Sequence, residues 1–261
     1  MNRAVSRIHA RHRKIQELIA QRGECTVEEL SRTLGVSGMT IRRDLQALEQ
    51  QGQIVRTHGG ATLGYRTVFE FDFLKKLRLN LPAKEAIART AAELLRNCSS
   101  VMLDGSTTTL AIARHLRGRT GLTVITTSLP AASELQHEPG IDVLLPGGYL
   151  RPHSPDLTGP LTEKNLEELH AEVAIMGADA IDEEGYVYTN PPDTTDTLLK
   201  MAASADRVYI AADSSKFGRR GLRRYGRLTQ WQGLITDNRA DPTFLDALRK
   251  LGVQIFVGEI R

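Results

Sequence analysis

Residues Ser37 to Ala61 read SGMTIRRDLQALEQQGQIVRTHGGA, and spacing alone divides them into a helix, a glycine stop and a small hairpin. Ser37 can cap the helix, because its hydroxyl accepts from an amide that has no partner in the first turn. Val36 before the cap and Ile41 four residues into the helix have the spacing of a hydrophobic staple. Ile41, Leu45 and Leu48 recur at i, i+4 and i+7, so they share one face and need burial. A step of about 100° per residue puts Met39, Arg43, Gln46 and Gln50 opposite that face. Thr40, Arg42 and Ala47 fall on its flanks, and Gly52 supplies a left-handed stop.

Upstream, Thr26-Val27-Glu28-Glu29 has the form of a capping box that opens a second helix, with Val27, Leu30 and Leu34 as its apolar stripe. Only Gly35 and Val36 separate that helix from the next cap. Two short helices joined so tightly, the second with a basic face left over, predict a helix-turn-helix. A preceding helix, roughly 11 to 22, offers Ile15, Leu18 and Ile19 to close a three-helix core. Residues Gln53 to Thr57 alternate as a strand and His58-Gly59-Gly60 turns sharply, which predicts a wing. Adjacent arginines by themselves often mark no more than a solvated face. Here cap, turn, apolar register, stop and hairpin agree, and the reading is double-stranded DNA. The contacting set is then Ser37, Met39, Thr40, Arg42, Arg43 and Gln46 at the major groove, with Arg56 and His58 on the wing.

Charge points the same way. The first 66 of 261 residues carry 11 Lys and Arg against 6 Asp and Glu, a balance of +5 in a chain of net charge +3. Positive charge gathered in a small helical domain is an electrostatic footprint for phosphate. The length suits a winged helix-turn-helix domain over 1–64, a connector over 65–82 and a larger domain over 83–261. Cys25 and Cys98 fall in different expected domains, so reduced thiols are expected, and no spacing suggests a metal. The N-terminus has no apolar core of a signal peptide and no apolar run approaches membrane length, so a cytoplasmic protein without membrane association is expected.

In the connector Phe69, Phe71 and Phe73 alternate, a pattern suited to packing rather than to ligand binding. Residues Ala83 to Arg96 predict a helix with Ile87, Ala91, Leu94 and Leu95 on one side. Seven short apolar runs follow, separated by helical segments: 101–103, 123–126, 142–145, 173–176, 208–212, 233–236 and 253–257. Nearly continuous apolar runs suit strands covered on both faces, so the fold class is α/β with a mostly parallel sheet. Small polar residues and glycines stand where most runs end: Asp104, Thr127-Ser128, Gly147-Gly148, Gly177 to Asp179, Asp213 and Asp237. In open parallel sheets, ligands bind outside the carboxyl ends of the strands.

One of these ends leads directly into a helix through Asp104-Gly105-Ser106-Thr107-Thr108-Thr109. Free amides at a helix start, a glycine and several hydroxyls suit a phosphate, although ordinary capping accounts for the same residues equally well. Neither GxxxxGK[ST] nor GxGxxG occurs. Lys216 follows another run and can supply a cation to the same crevice, or stand on an exposed loop. Asp104 and Asp179 can accept from sugar hydroxyls, or simply from loop amides.

Taken together, these residues resemble the DeoR family of bacterial transcription regulators over nearly the whole chain. The resemblance is carried by Val36-Ser37, Thr40-Ile41-Arg42-Arg43-Asp44-Leu45, Leu48, Gly52 and Arg56-Thr57-His58-Gly59-Gly60-Ala61. It continues through Asn80, Lys84, Asp104 to Thr108, Thr127-Ser128-Leu129, Gly147-Gly148, Gly159-Pro160, Gly177-Ala178-Asp179 and Ala212 to Gly218. It implies a winged helix-turn-helix joined to a sensor domain similar to ribose-phosphate isomerases, glucosamine-phosphate deaminases and CoA transferases. It also implies a homo-oligomeric repressor of a carbohydrate-use operon whose effector is a phosphorylated sugar. On that footing the effector set is Asp104, Gly105, Ser106, Thr107, Thr108, Thr109, Thr127, Ser128, Gly147, Gly148, Asp179 and Lys216, with no cofactor, no metal and no catalytic residue. One segment departs from the family pattern. Where an acid and a lysine stand in an EAxxK-like helix, this chain has Asp193 to Met201, with Asp196 as the nearest acid and the lysine out of register.

Two other readings compete. A sugar-phosphate isomerase or deaminase carrying a DNA-binding appendage would need an acid or base at the sugar carbon, and only Asp104 and Asp179 are candidates. His170-Ala171-Glu172 matches the HxE of zinc deaminases, but no PCxxC follows. A constitutive DNA-binding protein whose second domain only oligomerises is the third.

Overall fold

A computed structural model describes residues 3–22, 24–50, 54–57, 59–62, 73, 75–151 and 154–261. Contacts within it divide the chain into two compact units, Met1–Lys75 with Pro152–Ser154, and Lys76–Arg151 with Pro155–Arg261. The expected connector over 65–82 is therefore divided, its Lys76 to Pro82 part belonging to the second unit. His58, Gly52, Phe69 and Phe71 lie outside the described residues.

Among the described residues the first unit is built on α1 (Arg3–Arg22), α2 (Val27–Leu34) and α3 (Gly38–Gln50). Ile15, Leu18 and Ile19 of α1 meet Val27, Leu30, Ile41, Leu45 and Leu48 in one buried cluster, with Val36 packed against it. The capping box at Thr26 and Glu29 is formed, and Gly35 adopts the left-handed conformation that ends α2. Ser37 Oγ accepts from the Thr40 amide at 3.2 Å and starts α3. Ile54 and Ala61 close the cluster from the hairpin side.

The wing comprises β2 (Val55–Thr57) and β3 (Gly60–Thr62). Its third member, β1 (Glu24–Thr26), is too short to leave a periodic signal, yet it pairs antiparallel with β3. That pairing explains the double glycine. A Cβ at Gly60 would stand 2.3 Å from the Cys25 carbonyl oxygen, and Gly59 has φ 110°. Glycine alone tolerates both demands at low cost.

The second unit is built on a parallel sheet of seven strands: β4 (Ser100–Leu103), β5 (Leu122–Thr126), β6 (Ile141–Leu144), β9 (Ala171–Gly177), β12 (Ala205–Ala211), β14 (Gly233–Asp237) and β15 (Ile255–Gly258). Each of the seven apolar runs supplies one strand. The order is β15-β14-β12-β9-β4-β5-β6. Chain direction across the sheet therefore reverses between β4 and β9, the switch point at which open α/β sheets form their crevice. Helices α4 (Leu81–Leu94), α5 (Thr107–His115), α6 (Leu129–Leu135), α7 (Pro160–Glu167), α8 (Thr195–Ala203) and α9 (Pro242–Lys250) connect or cover these strands. Two antiparallel pieces flank the sheet: the hairpin β7 (Tyr149–Leu150) and β8 (Leu157–Thr158), and the group β10 (Ala180–Ile181), β11 (Tyr186–Thr189) and β13 (Arg223–Arg227). Among the described residues, no helix is long and apolar enough to cross a membrane.

Candidate functional site

On α3 the apolar register buries Ile41, Leu45 and Leu48 completely, and so the opposite face turns outward. Met39 is 60% exposed, Arg42, Arg43 and Gln46 are exposed, and Thr40 is half-buried. On the wing Arg56 is exposed. Sequence reasoning missed Asp44, which lies on the buried side. Its carboxylate receives Arg11 Nε at 2.6 Å and Nη2 at 2.9 Å, with His12 Nε2 at 3.1 Å. This triad pins α1 to α3, and it uses Arg11 and His12 for architecture while leaving Arg42 and Arg43 available. Signals for it existed only in three dimensions, because the partners lie more than 30 residues apart.

At the sheet's switch point the loop after β4 meets the end of β9. Asp104 is 5% exposed and accepts from the Gly177 amide at 2.8 Å, the Ser106 amide at 3.1 Å and the Thr109 hydroxyl at 2.8 Å. Burial raises its carboxyl above the ordinary range, while these donors pull it back. Both oxygens thus have internal partners, which hold the loop in place. Thr109 is fully buried and bonded to Asp104. Ser106 Oγ caps α5 by accepting from the Thr109 amide at 3.2 Å.

Thr107 and Thr108 are different. Each is 7% exposed, neither hydroxyl has a hydrogen-bond partner among the described residues, and their first-turn amides have no intrahelical acceptor. Gly105 lies against Asp156, whose Cβ would be 2.5 Å from a Cβ added at Gly105. Arg151 clamps Asp156 through Nε at 3.0 Å and Nη2 at 2.9 Å, and reaches Asp193 at 3.6 Å. A carboxylate and a guanidinium therefore stand beside the helix start, a pair that the sequence spacing did not single out.

The other expected residues divide by burial. Thr127 and Ser128 are buried; Ser128 caps α6, and the Thr127 carbonyl accepts from Leu157 at 2.8 Å. Gly148 packs against α7, since an added Cβ would come 1.9 Å from the Thr162 hydroxyl, and the Gly147 carbonyl accepts from that hydroxyl at 2.7 Å. Each of the four thus makes a contact within the fold. Asp179, at the end of β9, receives Lys76 Nζ at 2.9 Å and the Asn190 amide at 2.9 Å. Its carboxyl is shifted down: burial opposes the shift, but Lys76, the Asn190 amide and Lys216 together outweigh it. Lys216 is half-buried and close enough to act on both Asp179 and Lys84. In the departing segment, Asp196 is exposed and Lys200 pairs with Glu167 on α7. A cavity of about 430 Å³ lies along the 213–218 loop, lined by Asn80, Ser215, Phe217, Arg239 and Phe244 rather than by the α5 start.

A winged helix with an outward basic face, joined in one chain to a parallel α/β unit with a polar crevice at its switch point, defines a DNA-binding regulator with a small-molecule sensor. Residues 11–67 match the DeoR-like helix-turn-helix domain and residues 79–238 the DeoR C-terminal sensor domain, so the chain belongs to the DeoR family of transcriptional regulators. It is 36% identical over 95% of its length to the HTH-type transcriptional regulator GolR of Listeria innocua, covering 98% of that protein. It is 34% identical to the HTH-type transcriptional repressor GlcR of Bacillus subtilis, over 94% of each chain. It is also 30% identical to the glycerol-3-phosphate regulon repressor of Escherichia coli K12, over 94% of this chain and 97% of that one. These relatives are regulators of transcription, not enzymes. Among solved structures, ribose 5-phosphate isomerase A of Methanocaldococcus jannaschii is similar over 51% of this chain and 53% of that one, at 18% identity and a TM-score of 0.38.

Proposed function

We propose that this regulator is a homo-oligomeric repressor of a carbohydrate-use operon, released from its operator by a phosphorylated sugar or related intermediate. Arg42, Arg43, Met39, Thr40 and Gln46 enter the major groove, Ser37 stands at the groove-facing end of the helix, and Arg56 and His58 serve at phosphate or the minor groove. Phosphate contacts add affinity while base contacts add specificity. The observation that carries the effector reading is the start of α5. Two hydroxyls and two amides with no partner among the described residues, on Thr107 and Thr108, converge at the switch point of the sheet. A helix N-terminus of this kind favours an anion through both its dipole and its donors. Asp104 and Ser106 position that loop, and Asp179 and Lys216 border the crevice. That one relative is a repressor of a glycerol-3-phosphate regulon supports a phosphorylated effector.

Sugar phosphate binding releases DNA only if the DNA-free state binds the sugar more tightly, because an effector shifts an equilibrium by no more than its differential affinity. The test is retention of genomic fragments on the purified protein, challenged with a panel of sugar phosphates. Release by at least one compound, lost in Thr107→Ala, is the expected result. Tighter retention with every compound tested would overturn it.

A further inference from the structure

Across β9 from the α5 start lies a concentration of charge that the proposed phosphate site leaves unexplained. Lys84, on α4, is 4% exposed, yet no carboxylate lies within ion-pair reach among the described residues. Its ammonium donates to the Lys76 carbonyl, which fills one of its three donors. Burial pushes Lys84 down to about 8; Asp213 pulls it up, while Lys216 and Lys76 push it further down. The Lys216 ammonium has no hydrogen-bond or ion-pair partner among the described residues. Against these cations stand two carboxylates. Asp179 is engaged by Lys76. Asp213 is 2% exposed and receives Asn80 Nδ2 at 2.8 Å and the Ser215 amide at 3.1 Å. Asn80 makes that contact from a left-handed backbone, φ 54°, and also reaches Ser215 Oγ at 3.0 Å. A desolvated ammonium with unfilled donors is costly unless an anion joins it.

Position gives the cluster its meaning. Strand β12 leads into Asp213 to Lys216, β4 leads into Ser106 to Thr109, and both flank β9. Two inter-strand spacings of about 4.8 Å put the two loops roughly 10 Å apart. That is the span of a short sugar chain charged at both ends.

We propose that Lys216 and Lys84 form a second anion subsite beside Asn80, and that the effector is a doubly anionic sugar, a bisphosphate or a phosphorylated sugar acid. This rests on the proposed function and narrows its ligand class. Lys216 meets the second anion, and Lys84 adds positive potential from within the fold.

The experiment is a calorimetric titration of the full chain with matched probes. These are fructose 6-phosphate against fructose 1,6-bisphosphate, ribulose 5-phosphate against ribulose 1,5-bisphosphate, and glucose 6-phosphate against 6-phosphogluconate. In at least one pair the doubly anionic member binds tenfold or more tighter, and Lys216→Ala abolishes the difference within that pair. Lys84→Met reduces the same difference if it folds, but Lys216→Ala decides alone. Equal affinity within every pair overturns the subsite and leaves the sugar-phosphate reading intact. A preference that survives in Lys216→Ala also overturns it. Binding by none of the probes removes both.

Discussion

The Asp104 carboxylate accepts from the Gly177 amide at 2.8 Å, joining the ends of two parallel strands where the sheet reverses direction. The contact straps the loop after β4 to the end of β9. Asp104→Asn keeps the shape, but it turns an amide donor toward a peptide N–H or leaves one donor unmet. A buried unsatisfied group costs about 1–3 kcal/mol. Denaturant unfolding of the variant is expected to show a loss of that size at neutral pH. Burial raises the Asp104 carboxyl in the folded state, so its destabilising charge is absent at low pH and appears as pH rises. A variant as stable as the parent would remove the strap.

Gly105 allows Asp156 to approach, with 2.5 Å between its would-be Cβ and that of Asp156. Asp156 cannot retreat freely, because it bridges to Ser128 and is clamped by Arg151. Gly105→Ala therefore overpacks the loop, at about 1–3 kcal/mol. The expected phenotype is retained DNA binding with no release by any sugar phosphate. Normal release would place the effector elsewhere.

Asp44 is a buried acceptor for Arg11 and His12 at the junction of α1 and α3. Asp44→Ala strands the Arg11 guanidinium, which keeps partial access to solvent. We expect a loss of about 1–3 kcal/mol in the DNA-binding unit and weaker DNA retention through misplacement of α3. Hydrogen exchange confined to the first unit is the readout; protection unchanged there contradicts the prediction.

The outward arginines act differently. Arg42→Ala and Arg43→Ala are expected to leave thermal stability within about 0.5 kcal/mol, as exposed substitutions do. DNA retention falls for each. The arginine on phosphate also lowers the salt slope by about 1, whereas the arginine on a base relaxes specificity at one position. Unaltered salt dependence and sequence preference in both variants would withdraw α3 from the interface.

Lys84 supplies a pH signature. Its folded-state value is depressed to about 8, below that of an unfolded lysine. Between those values the unfolded chain holds more protons, so the contribution of Lys84 to stability rises as pH climbs through 8. The difference in Tm between parent and Lys84→Met should therefore change in favour of the parent from pH 7 to pH 9. A constant difference would mean that Lys84 is not desolvated.

Much of the winged helix was legible because its determinants are local. Cap, staple, 3.6-residue period and left-handed glycine each act within a few residues, so Ser37, Ile41 and Gly35 announce themselves in linear order. The seven sheet strands were legible for a related reason: burial on both faces forces continuous apolar runs such as 173–176. What the linear chain could not determine was pairing. β1 is three residues long and exists only because β3 lies beside it. The fate of Asp104, Thr109 and Ser128 was equally open, since a hydroxyl or carboxylate near a helix start can face either a ligand or its own loop. Strand order brings Gly177 to Asp104 and Asp156 to Gly105 from more than 50 residues away. Local chemistry along the chain determined which elements form; long-range packing alone determined which polar groups those elements satisfy among themselves and which remain for a partner.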